Sequence, residues 1–187
     1  MLSPPEGRWP PVYDAQGLAD VIDGLAGASD FDTRFWDLRP RVQGEVFQGD
    51  LVQLDSAVPL LDEAGDPVVT DDCKFWLIIG NTCDFERPAN DVPWTQIVPT
   101  VDLGTTVDRQ HLDVFRRYQY SRRFYVPPWP SGDGHHRFAD FTRPVTIHKA
   151  AFVGPAQVVG RMQQPAWVLL HSCLVRFLAR DDGRYDV

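Results

Sequence analysis

Cysteine is scarce in this chain of 187 residues, and the three that occur, Cys73, Cys83 and Cys173, are odd in number and unevenly spaced. That argues against a disulfide framework and suits reduced thiols. No apolar run approaches the roughly eighteen residues a membrane helix needs, and the run at residues 75–79 has the length of a strand. No membrane association is therefore expected. Cysteines two apart and histidines three or four apart are both missing, so no metal is expected. Gly132-Asp133-Gly134 lacks the following glycine, lysine and helix of a phosphate loop, which leaves no cofactor implied. The opening Met1-Leu2-Ser3-Pro4-Pro5-Glu6 has neither a basic start nor an apolar segment, and the expected location is the cytoplasm. Lysine is the rarest charged residue: only Lys74 and Lys149 stand among the 18 basic side chains. Arginine contacts carboxylate and phosphate through a planar fork, so this bias favours specific over diffuse contacts.

What is present suits one globular unit with room for an appendage: 43% hydrophobic residues, 24% charged and a net charge of -8. The charge is divided. Residues 1–108 hold 20 acidic and 6 basic side chains, whereas residues 109–187 hold 6 acidic and 12 basic. Such asymmetry marks either complementarity inside one domain or a polyanion-binding face.

Residues 1–40 read as an N-terminal arm and helical appendage. Prolines around Trp9 suggest an extended arm, and Leu18, Val21, Ile22 and Leu25 form the stripe of a short helix that Asp14 would cap. Phe31, Phe35 and Trp36 suggest a second short helix or a covering loop. Residues 41–187 read as a barrel-like α+β domain. Strands are expected near 49–55, at 60–61 before a turn at 62–67, at 74–79, and at 94–99 with Pro99 as the stop. Residues 105–123 read as an inserted Arg-rich helix capped by Thr105, Thr106 or Asp108, and 127–134 as a loop. Further strands are expected at 138–141, 145–148 and 157–162, then a C-terminal helix over 166–180 with Pro165 in its first turn. The fold class is α+β: a small SH3-like β-barrel or a strongly bent antiparallel sheet.

The candidate chemistry lies after the apolar strand, in Gly80-Asn81-Thr82-Cys83-Asp84-Phe85-Glu86-Arg87. Cys83 is a candidate nucleophile if His148 or His111 lies within reach. The competing reading has Asn81, Thr82 and Asp84 satisfying turn amides while Cys83 packs as a small hydrophobe. For nucleic acid the candidates are Arg109, Arg116 and Arg123, seven apart along one helical face, with Arg117, Arg122 and Tyr120 beside them. The competing reading pairs these arginines with the acidic first half. His135 and His136 sit adjacent in the loop, with no assigned role.

The segment Gly49-Asp50-Leu51-Val52, the turn-rich insertion, the apolar strand ending in Asn81-Thr82, the strand at 95–98 and the C-terminal helix together resemble the MazF/PemK/Kid-like group. The resemblance implies an SH3-like barrel and, for many members, metal-independent cutting of single-stranded RNA. It would assign Lys74, Thr82, Asp84 and Arg87 to that chemistry if they converge. The chain departs from the group where an arginine and proline usually lead into the central strand, since Cys73-Lys74 stands there. Two functions follow. One is a noncatalytic module of a bacterial toxin or defence-type system that binds a protein or nucleic acid through Trp9, Trp94, Trp129 and the arginine face, with a homodimer as a further possibility. The other is a toxin-like endoribonuclease.

Overall fold

In the computed structural model the apolar run is the central strand, β4 (Phe75–Ile78), paired antiparallel with β1 (Leu51–Leu54) on one side and β5 (Trp94–Gly104) on the other. The structure describes residues 15–26, 31–39, 45–55, 58–61, 64, 66–70, 73–152 and 156–178. The arm around Trp9 and the cap Asp14 lie outside them. Strand alternation divides the buried side chains between two cores. Leu77, Leu51 and Val98 enter one core, while Trp76, Ile78, Val52 and Ile97 enter the other. Both faces of β4 are sealed, as an uninterrupted apolar run requires. Each such side chain contributes about 1.5–3 kcal/mol.

Around this centre runs a seven-stranded antiparallel sheet in the order β6 (Arg123–Val126), β7 (His136–Asp140), β5, β4, β1 and β9 (Ala156–Gly160), with β8 (Val145–His148) also against β5. The strand at 94–99 does not stop at Pro99. Residues 94–97 pair with β8 and residues 100–104 with β7, so Pro99 falls in the handover between partners, where that side of the strand forms no ladder. This exchange bends the sheet. Among the described residues β6 and β9 do not pair with each other, so the sheet is strongly bent and not closed into a barrel. A hairpin of β2 (Val58–Leu61) and β3 (Pro67–Thr70) forms a separate two-stranded sheet, and with the 3-10 turn Lys149–Phe152 it supplies Val58 and Phe152 to the second core.

The larger core lies under the helices α1 (Ala15–Ala26), α2 (Phe31–Phe35), α4 (Arg109–Arg116) and α5 (Gln164–Leu178); the short α3 (Thr82–Glu86) follows β4. Phe31, Phe35 and Trp36 are at most 2% exposed and belong to the same cluster as Leu77. No helix among the described residues is long and apolar enough to cross a membrane.

The arginine helix is shorter than expected. Asp108 caps α4 through Gln110 and His111 N–H, but the helix ends at Arg116 because Tyr118, 1% exposed, turns into the core with a left-handed φ of 50°. Its hydroxyl donates to Tyr125 O at 3.2 Å. Arg123 therefore belongs to β6, and the face with seven-residue spacing does not exist.

Arg137 is a main anchor of the proline-rich loop at 127–134. Arg137, 3% exposed, lies 4.7 Å from the Phe75 ring and 4.8 Å from the Trp129 ring, and its fork reaches both oxygens of Asp133 at 3.0 and 2.5 Å. Trp129, expected on the surface, is consequently buried. The Arg137 hydrogen bonds hold the Asp133 carboxyl down at about 2, below its ordinary range of about 3.9. The stabilisation is complete above the unfolded value and lost as pH falls through the folded one. Acidification is expected to release the loop over that window, seen as a Trp129 fluorescence change that Asp133→Asn abolishes. An identical acid profile in the variant would refute the assignment.

Candidate functional site

A groove of about 520 Å³ is lined by the sheet and the end of α5. Its sheet side carries Trp94, Gln96 and Thr146; its helix side carries His171, Leu174, Val175 and Leu178; Ile79, Gly80, Asn81 and Asp84 close the end. The polar tip after β4 thus borders this groove. Gly80 permits this geometry, since a Cβ there would stand 2.1 Å from Thr95 Oγ1 and 3.0 Å from Gln96 N.

Gln48 organises the floor. Its side-chain amide donates to Ile79 O at 2.7 Å and its backbone N–H to Thr82 Oγ1 at 3.1 Å. The amide oxygen therefore faces His171 and accepts, which places the ring proton on His171 Nε2 and leaves Nδ1 as the basic nitrogen. Burial pushes the His171 pKa below its ordinary value, so the ring is neutral near neutral pH. Trp167, one turn earlier on α5, packs on it at 4.1 Å between ring centroids.

Three polar groups at this groove have no partner among the described residues. Asn81 stands at the N-cap position of α3 but makes no side-chain cap. Asp84 bonds through its backbone N–H and carbonyl, and its carboxylate is unpaired. Thr95 Oγ1 is buried and unsatisfied, an arrangement that costs about 1–3 kcal/mol.

No protein-family model matches the chain, and no curated protein matches it.

Of the residues proposed from sequence, Asp84 lines the groove and Thr82 supports it from behind through Gln48. Cys83 is exposed on α3, and among the described residues no hydrogen bond joins it to a histidine: His148 Nδ1 accepts from Ala150 N–H, and His111 lies on α4. Arg87 is exposed, and its carbonyl with that of Asp84 takes the buried Lys149 ammonium, which satisfies the C-terminal end of α3. Lys74 precedes β4 and Thr82 follows its other end, so the four residues of the strand alone hold them roughly 13 Å apart at about 3.3 Å per extended residue. The set Lys74, Thr82, Asp84 and Arg87 does not converge.

The arginines disperse as well. Arg116 turns inward, 5.1 Å from the Phe31 ring, and Arg117 pairs with Asp23 of α1 at 3.3 Å, the internal complementarity that the charge division allowed. Arg123 lies over Phe138 at 4.7 Å and Tyr120 at 5.5 Å, while Tyr120 is half-buried against Phe115. Arg109 and Arg122 are exposed. The loop histidines have separate partners: His135 Nδ1 meets Asp102 at 2.7 Å and His136 Nδ1 meets the Tyr125 hydroxyl at 2.6 Å. Among the described residues no three His, Cys, Asp or Glu side chains gather as a metal set. Sequence reasoning did not identify Gln48 or His171 as a pair. They are 123 positions apart, and no local spacing links them.

Proposed function

We propose that the chain is a noncatalytic binding module whose groove receives a segment of a protein partner. The observation that carries this reading is the placement of apolar surface. Among the described residues three large hydrophobic side chains are strongly exposed, and two of them, Trp94 at 57% and Leu178 at 77%, border this groove. An exposed tryptophan beside an aliphatic helix edge and a few unsatisfied polar groups suits a peptide anchor. The resemblance to the MazF/PemK/Kid-like group supports a setting in a toxin or defence-type system.

The ribonuclease alternative needs a base, an acid and a cation for the developing phosphorane charge. His171 and Asp84 are the titratable side chains of the groove, but no described lysine or arginine lines it. Lys149 is occupied by two carbonyls and Lys74 stands at the other end of β4. Selection of a random dodecamer peptide library on the immobilised protein is expected to yield binders that Trp94→Ala weakens by about 2 kcal/mol. The Arg109→Ala/Arg122→Ala variant should bind them normally. Metal-independent cleavage of a mixed RNA pool, lost in Asp84→Ala, would overturn the proposal.

A further inference from the structure

The groove is lined by both apolar and polar side chains and carries one formal charge among its described lining residues. Asp84 is the only carboxylate among its described lining residues, and no cation there answers it. His171 is neutral and already donates to Gln48. The Lys149 ammonium donates to the backbone carbonyls of Asp84 and Arg87, and no hydrogen bond joins it to the Asp84 carboxylate. The Asp84 side chain thus lines the same groove as the exposed Trp94 indole, in a chain with a net charge of -8.

An indole face attracts cations, a carboxylate binds a guanidinium through two parallel hydrogen bonds, and aliphatic side chains cover a methylene stem. The groove offers all three. We infer that it seats an arginine of a protein partner, with the guanidinium bonded to Asp84 and stacked on Trp94, and with its stem and the neighbouring residues of the partner against Leu178 and Val175. Arginine is favoured over lysine because the planar fork stacks and bonds at once, whereas an ammonium is a strongly hydrated point charge. An acidic peptide or a nucleic-acid phosphate would bring a second negative charge to Asp84 with no cation among the described lining residues to offset it. This inference rests on the reading of the groove as a peptide seat.

The random dodecamer library is the probe. Binders that depend on Trp94 are expected to carry an arginine in common, and synthetic copies with citrulline in its place, which keeps the shape and removes the charge, should bind at least about tenfold more weakly. Asp84→Asn should lower affinity for the arginine peptides by a similar factor and leave the citrulline peptides unchanged, so that the charge pair is read separately from any general loss of fold. Trp94-dependent binders that lack a basic residue, or an unchanged affinity in Asp84→Asn, would overturn the arginine seat while leaving the groove as a peptide site. Failure to recover any Trp94-dependent binder would overturn both. Sedimentation of the protein alone is expected to show a monomer. A dimer that dissociates in Asp84→Asn would mean that a second copy supplies the arginine, which would overturn the separate partner.

Discussion

Replacement of Asp50 by alanine is expected to lower the unfolding free energy by about 3–5 kcal/mol, the loss typical of a buried ion pair that keeps only one partner. Asp50 is fully buried, and its two oxygens meet Arg161 Nε and Nη2 at 2.9 Å each. Burial opposes the Arg161 charge, yet the Asp50 hydrogen bonds and charge outweigh it, so the guanidinium is held above its ordinary pKa. The pair joins the residues just before β1 to the residue just after β9. It also sets the approach to the groove: Asp50 accepts from Phe47 N–H at 2.9 Å, Arg161 donates to Glu45 O at 3.1 Å, and the guanidinium lies 4.2 Å from the Phe47 ring. Gln48 rides on that turn. The variant should therefore lose the Gln48–His171 contact as well as stability, seen as an NMR shift of the His171 ring. The double variant Asp50→Leu/Arg161→Met should recover much of the stability, since an apolar pair of similar volume removes the stranded charge. A single-variant loss below about 1 kcal/mol in denaturant titration would show that the pair is not desolvated.

The central strand was legible because one short apolar run, bounded by Gly80 and Asn81, has one stable placement, with both faces covered. Its polar stop located one end of the groove for the same reason: a strand buried on both sides must expose the chain where the pattern breaks. The C-terminal helix was also legible, with Pro165 in its first turn and Leu169 and Cys173 facing inward. Other features depended on partners distant in sequence. Pro99 looked like a terminus until β7 and β8 were seen to divide β5 between them. Trp129 looked exposed because its loop is rich in proline and glycine, yet Arg137 buries it. Spacing suggested one arginine face, but the need to bury Tyr118 ended α4 first. Sequence alone left barrel and bent sheet open, because strand periodicity does not specify which two edges remain unpaired.

Substitution of Trp36 by alanine is expected to cost about 3–5 kcal/mol, comparable to losing Asp50, although the residue lies within the segment that reads from sequence as an appendage. Its ring fits where only glycine leaves room: a Cβ at Gly160 would stand 2.6 Å from Trp36 Cζ3. The indole N–H donates to Pro128 O at 3.0 Å, the ring meets Phe35 edge-on at 4.8 Å between centroids, and the backbone bridges to Met162. One residue thereby joins α2, β9, the segment between β9 and α5, and the proline-rich loop. Trp36→Phe should lose less, since it keeps part of the ring while removing the hydrogen bond and some volume. Gly160→Ala should destabilise from the opposite side by forcing the ring out of place, at a cost of about 1–3 kcal/mol. Because Phe31, Phe35 and Trp36 share a core with Leu77 of the central strand, each variant should still melt in one transition at a lower midpoint. A separate early transition, with α2 released before the sheet unfolds, would mean that these residues cover a core able to stand without them.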